Sequence, residues 1–186
     1  NAYLKSLADV TLSKIDDTVT NVENVGFFIN GDTDIQKNMS LYMDEGSSRQ
    51  EKYNYYDAVK KKLKSYVLFN NEIDSVDLFT EKGDKINYTK NVHLRPLTYG
   101  KINRDEEQYW LTDSDYIMFV KNVNTFLMGE KLGKVVLTVK RDIILELMGD
   151  IQLNQSGRAF LIDKDGTVVA AADENIEGKK LTEYGK

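Results

Sequence analysis

Apolar residues recur at steps of three and four from the start of the chain. Leu4, Ala8, Leu12, Ile15, Val19, Val22, Gly26 and Ile29 form one stripe, the period of an α-helix that buries a single face. The spacing predicts a helix over Tyr3–Ile29, and at ~1.5 Å per residue such a rod is about 40 Å long. That exceeds what a small domain needs for its own core, so the helix is expected to connect to something beyond it. Asn30-Gly31-Asp32 predicts its end, with Gly31 as a left-handed stop. Asp32 or Asp34 is placed to cap a short helix carrying Ile35, Met39, Leu41 and Tyr42. Beyond a turn at Glu45–Ser48, Ser47 or Ser48 starts a third helix over Arg49–Phe69, with Tyr53, Tyr56, Val59, Leu63, Tyr66 and Val67 on one face. Lys60, Lys61, Lys62 and Lys64 fall opposite that stripe and read as a solvated face rather than a site for acidic partners.

The period then drops to two. Ile73–Thr80 and Lys85–Thr89 predict a strand pair around the turn Glu81-Lys82-Gly83-Asp84. Tyr116–Asn122 and Leu132–Lys140 predict a second pair, joined through Asn124–Lys131 with Gly129 in a turn. Val135, Leu137 and Val139 alternate with Val136, Thr138 and Lys140, as in a half-buried antiparallel strand. Asp142–Met148 predicts a short helix stopped by Gly149, and Asn154–Gly157 a polar linker. Strand–turn–strand then repeats: Ala159–Ile162, the turn Asp163–Gly166, and Thr167–Ala171. Asp-Gly is a strong hairpin signal. Only Asn91–Asp115, which holds the single Pro (Pro96), His (His93) and Trp (Trp110), has no clean period. The expected class is α+β: four antiparallel strands covered by helices on one face, with the last hairpin echoing the first.

Composition narrows the function. Among 186 residues there is no cysteine, which excludes disulfides, thiolate metal sites and cysteine nucleophiles. A net charge of −5 argues against a general nucleic-acid binder, which needs a basic stripe. No apolar run approaches the ~18–20 residues that span a bilayer, and the chain opens on Asn1 directly into a helical pattern. An excised soluble piece of a longer protein is expected. Phosphate-loop, H-E-x-x-H and G-x-S-x-G signatures are all missing, so no enzyme and no cofactor are expected. Asp163-Lys164-Asp165-Gly166 opens like a calcium loop, and Glu174 stands at the register of the closing ligand. Val168–Ala172 is too apolar to supply the oxygens between them, and the turn reading is preferred.

Three pieces carry a resemblance: the long first helix ending in Val25-Gly26-Phe27-Phe28-Ile29; the strand pair from Ile73 with its Lys82-Gly83-Asp84 turn; and Gly133–Val139 leading through Asp142–Leu147 to Arg158–Gly166. The chain resembles the extracytoplasmic Cache (PAS-like, double-Cache type) region of bacterial YesM-like sensor histidine kinases. Chemoreceptors carry similar regions. The resemblance implies a PAS-like antiparallel sheet with a long N-terminal helix and flanking helices. Residues 1–150 would be the entry helix plus a membrane-distal module, and 151–186 the start of a membrane-proximal one. It implies a small-molecule ligand, a homodimer through the first helix, and contact with the membrane only through segments outside this chain. A cytosolic PAS-like regulatory or interaction module, or a chemoreceptor's sensory domain, stands as the alternative.

A Cache pocket lies between the sheet and its long loops, which directs attention to the irregular segment. Tyr88, Tyr99, Arg104, Tyr109, Trp110 and Tyr116 are the candidate ligand-binding residues. Aromatic walls enclose a small molecule, and an Arg pairs bidentately with a carboxylate. Amino-acid-binding Cache domains carry an Arg shortly before a Trp-Tyr pair. Here Arg104 precedes Tyr109-Trp110 with different order and spacing.

Overall fold

A computed structural model describes residues 2–90, 97–112, 116–149, 160–162, 166, 168–171, 179, 180 and 182. Expectations placed on His93, Pro96, the Asn154–Gly157 linker, Asp163–Asp165 and Glu174 lie outside them. The described chain forms α1 (Ala2–Gly31), α2 (Thr33–Met43), α3 (Arg49–Leu68), β1 (Ile73–Thr80), β2 (Lys85–Thr89), α4 (Tyr99–Ile102), β3 (Gln108–Thr112), β4 (Tyr116–Asn124), β5 (Lys131–Lys140), α5 (Arg141–Gly149), β6 (Phe160–Ile162) and β7 (Val168–Ala171). It is an α+β fold with a long N-terminal helix and an antiparallel sheet. The chain divides into two compact units: residues 1–20, 112–117 and 140–186 form one, and residues 21–111 and 118–139 the other.

The larger unit is built on a sheet of order β2-β1-β5-β4-β3. It has five strands where four are expected, because β3 and α4 both lie in the segment without a clean period. β3 is short, Gln-Tyr-Trp-Leu-Thr, and its mixed aromatic and polar faces hide the alternation. β1 runs antiparallel to β2 and to β5, with Asp77 opposite Asn87 and Val136, and Phe79 opposite Lys85 and Lys134. These registers separate the two faces of the sheet. Val76, Leu78, Val135 and Leu137 share one, and Ser75, Asp77, Phe79, Lys134, Val136 and Thr138 the other.

Helices cover the first face. α3 packs on β1 and β2 and pairs with α2, while α1 approaches so closely that a Cβ on Gly26 would stand 2.7 Å from the Phe119 ring. Gly31 ends α1 without a positive φ. The break belongs to Asp32 instead, which turns extended (φ −73°, ψ 104°) and accepts from the amides of Asp34 and Ile35 to cap α2. The same carboxylate receives the Tyr66 hydroxyl at 3.2 Å and Lys62 at 3.4 Å, tying α3 to that junction. Lys62, still largely solvated as expected of the lysine run, also pairs with Asp34 at 2.9 Å. Ser48 caps α3 through a full capping box with Glu51.

Two expectations about the stripes change. On α1, Leu12 is exposed and Thr11 is buried, so the buried line runs through Thr11, Ile15, Val22, Val25 and Ile29. The strand over Leu132–Lys140 is not half-buried: positions 132 to 139 of β5, like every position of β1, are buried. The second face is covered too, by the segment around α4, whose Ile102 joins Phe79, Tyr109, Met118, Val120 and Val136 in one cluster. At the β4–β5 turn, Phe126, Leu127 and Met128 are exposed. The turn's base is held by Asn30 Oδ1, which accepts the Asn124 amide, and Gln36 Oε1, which accepts that of Phe126.

In the other unit, β6 and β7 pair antiparallel as a two-stranded hairpin, with Phe160 packed on Val168 and Ala171. Arg141, buried at the start of α5, donates to the Ala171 carbonyl at 2.8 Å.

Gly133 fixes the approach of β5 to β1. A Cβ there would lie 1.8 Å from the Phe79 carbonyl oxygen, a backbone atom that has no room to retreat. Gly133→Ala is expected to cost about 3 kcal/mol of unfolding free energy, read from urea denaturation. A loss below about 1 kcal/mol, within the scatter of ordinary surface changes, would contradict this reading of the strand contact.

Candidate ligand site

β3 distributes the candidate residues between the two faces. Tyr109 and Leu111 turn to the face covered by α4 and pack with its cluster. Trp110, one residue on, turns to the helical face. There its indole N–H donates to Glu23 Oε1 at 2.9 Å, and its ring lies 5.1 Å from that of Phe119. Tyr88 is opposite Val76 on β2, with Lys64 Nζ 5.9 Å from its ring centre. Tyr116 opens β4 and belongs to the other compact unit. The structure therefore brings together Tyr99, Arg104 and Tyr109, and sets Trp110 and Tyr88 behind the sheet.

Three side-chain bonds fasten the α4 segment to the sheet. The Tyr109 hydroxyl donates to the Ile102 carbonyl. Lys134 Nζ donates to the Arg104 carbonyl at 2.8 Å and to Asn122 Oδ1 at 2.7 Å. The Tyr99 hydroxyl donates to Glu81 Oε1 at 2.9 Å, and Glu81 also pairs with Lys131 at 3.1 Å. Arg104 completes the arrangement, its guanidinium carbon 4.9 Å from the Tyr109 ring centre.

The electrostatics of this face are unusual for a core. Lys134 is 0 % exposed, and burial, together with Lys131 nearby, holds its ammonium below the usual lysine range. Asp77 is buried on the same face, diagonally across from Lys134, whose neighbour Val136 stands opposite it. Burial pushes its carboxyl above the usual range, an effect that Lys85 at 3.3 Å and Asn87 only partly offset. Two residues earlier, among the described residues, the buried Ser75 hydroxyl has no hydrogen-bond partner. An unmade bond of that kind costs about 1–3 kcal/mol. Ser75, Asp77 and Lys134 were absent from the sequence candidates. The signal available for them was polar residues inside strands otherwise rich in valine and leucine. Among the described residues no three His, Asp or Glu side chains gather as a metal would require.

With the geometry in place, comparison with known proteins gives the fold its context. No family model and no curated protein sequence matches the chain. Solved structures do. The sensory domain of the Campylobacter jejuni chemoreceptor Tlp3, with isoleucine bound, aligns with a TM-score of 0.62 at 18% identity, over 94% of this chain and 72% of that one. The fold is that of a Cache-type sensor domain. The ligand-binding domain of the Pseudomonas aeruginosa amino acid chemoreceptor PctC, in complex with GABA, aligns with a TM-score of 0.60 at 15% identity over 98% of this chain and 79% of that one. The sensor domain of the V. cholerae histidine kinase DctB aligns with a TM-score of 0.61 at 17% identity over 95% and 69%. At these identities the likeness is one of fold.

Tyr99 supplies a test of the fastening. Burial first, then its bond to Glu81, raises its hydroxyl from 10.0 to about 12. Between those values the unfolded chain has lost this proton while the folded chain keeps it. Stability is therefore lost as pH rises through that window. Tyr99→Phe is expected to flatten the dependence of unfolding free energy on pH there, measured against wild type by urea denaturation. Identical slopes for the two proteins would show that the hydroxyl is not held by the fold.

Proposed function

We propose that this chain is the extracytoplasmic ligand-sensing domain of a membrane-bound two-component sensor histidine kinase, of the YesM-like, double-Cache type, and that it works by conformation rather than by chemistry. The observation that carries the reading is a Cache-type sheet whose second face is closed by a short segment fastened through side chain-to-carbonyl bonds. Such a cover can exchange its own contacts for those of a ligand. A differential affinity of a few kcal/mol between open and closed forms moves the equilibrium decisively. α1, which at ~1.5 Å per residue measures about 45 Å, is the element suited to carry that change toward the membrane.

Isoleucine in Tlp3 and GABA in PctC favour a small, amino-acid-sized ligand here as well. The same two proteins favour the second reading, a chemoreceptor sensory domain, whereas DctB favours the kinase. Exposed Tyr3, Val10 and Phe28, which fall on one side of α1, support pairing with a second copy. No helix among the described residues is long and apolar enough to cross a membrane, and anchoring is assigned to segments outside this chain. A cytosolic PAS-like module remains the rival, and a signal-anchor segment encoded upstream of Asn1 discriminates against it.

A thermal-shift screen with amino acids, amines, organic acids, sugars and peptides tests the sensing function. A ligand at a hundred times its Kd adds about 2.7 kcal/mol, which raises Tm by roughly 5–11 °C in a chain of this length. The shift should survive Trp110→Phe, which lies behind the sheet, and weaken in Arg104→Ala. No shift across all classes would count against a sensor of small molecules. In the whole receptor, removing residues 1–20 should uncouple ligand from output; normal signalling without them would sink the role given to α1.

A further inference from the structure

We infer that the outer edge of the sheet at β2 is a docking edge for an extended, acidic segment of a partner protein, which joins the sheet as a further strand. β2 stands at one end of the strand order. The Thr80 amide donates to the Asp84 carbonyl and that of Lys90 to the Asp74 carbonyl, both at 2.9 Å. The alternation of an antiparallel ladder then turns the backbone of Ile86 and Tyr88 toward β1 and that of Lys85 and Asn87 outward. Among the described residues no strand pairs with that side. Proteins commonly defend such an edge with a lysine on the strand itself. Here that lysine is drawn inward: Lys85 Nζ lies 3.3 Å from the buried Asp77 carboxylate and 5.8 Å from the centre of the Phe79 ring. Asn87, opposite Asp77, is turned to the same carboxylate.

The charge beside this edge selects the partner. α3 lies along β2 and runs the same way: Lys82 reaches the Met43 carbonyl ahead of the helix at 3.1 Å, and Lys90 the Asn70 carbonyl beyond it at 2.9 Å. The lysine run of α3 divides in two. Lys61 pairs with Asp57, and Lys62 with Asp34. Lys60 and Lys64 are exposed and, among the described residues, meet no carboxylate. Each stands over a ring instead, Lys60 over Tyr56 and Lys64 over Tyr88 of β2 itself, both at 5.9 Å. In a chain of net charge −5 this is a local cationic strip. Residues one helical turn apart are rooted about 5–6 Å from each other, and alternate residues of a strand about 7 Å apart on one face. An added strand with carboxylates at alternate positions therefore sets both against Lys60 and Lys64 while its backbone meets Lys85 and Asn87. A second copy of this chain is disfavoured there, because joining two β2 edges brings the lysines of both α3 helices together.

Fluorescence anisotropy of a labelled, end-blocked peptide, Thr-Glu-Val-Glu-Thr-Val, with the 186-residue chain at low salt tests the assignment. The peptide should bind, and more weakly as salt is raised. Lys60→Ala and Lys64→Ala should each weaken it about two- to fivefold, and the double variant Lys60→Glu/Lys64→Glu should abolish binding. Both side chains are exposed, so these variants keep the fold. Lys37→Ala, at an exposed position of α2, should change nothing. Methylating alternate backbone nitrogens of the peptide should abolish binding, since it removes donors that an added strand needs. Equal binding of the methylated peptide, or of inorganic polyphosphate, would reduce the edge to a patch of charge and overturn the proposal. Binding unchanged in the double variant, or none at the highest soluble peptide concentration, would overturn it too. So would a dimer in sedimentation equilibrium that the peptide disperses, which would give the edge to a second copy. None of these residues lies in the segment that covers the second face, so failure here leaves the sensing reading standing.

Discussion

Burial of β1 and β5 on both faces is the constraint on which the larger unit depends. A strand covered on one side alone sends its polar residues to water; these two strands have no such outlet. Every polar group they carry must find a partner inside or remain unsatisfied. Lys134 reaches a backbone carbonyl and an amide oxygen, and Asp77 reaches Lys85. The cover over the second face is therefore more than apolar packing, since its carbonyls satisfy donors rooted in the sheet. The same arrangement concentrates charge in a low-dielectric setting, where the arrival or loss of one counter-charge has large effects.

The helical side follows a different economy. Gly26 lets α1 sit against Phe119 and Leu137 without an intervening side chain. Asp32 serves at once as the cap of α2 and the acceptor for two side chains of α3. Three helices are thus referred to one short junction. Asn30 and Gln36, on either side of that junction, take the amides at the base of the β4–β5 turn. The result fixes the end of α1 within its unit by directional bonds as well as by apolar contact.

Much of this was readable in the chain. Periods of 3.6 and 2 located α1, α3, β1, β5 and α5, because each is long enough for its pattern to repeat, and the Lys82-Gly83-Asp84 turn after β1 located β2. Ser47 or Ser48 announced the start of α3, and Gly83 and Gly129 their turns, since these depend on local chemistry alone. β3 and α4 were not legible: five and four residues respectively give too few repeats, and both owe their existence to the sheet edge and the cluster they complete. The site divided along the same line. Tyr99, Arg104 and Tyr109 were visible as a cluster in sequence, but the neighbouring Trp110 goes to the opposite face by the alternation of a strand that could not be seen. Ser75, Asp77 and Lys134 were hidden because a polar residue in a strand reads as solvent-facing until both faces are known to be covered.

Gly133 restricts the chain in another currency. Where a methyl group would overlap the Phe79 carbonyl, drift in sequence has nowhere to go, while the surrounding valines and leucines can be exchanged for one another. A chain that keeps this approach of β5 to β1 has to keep glycine there.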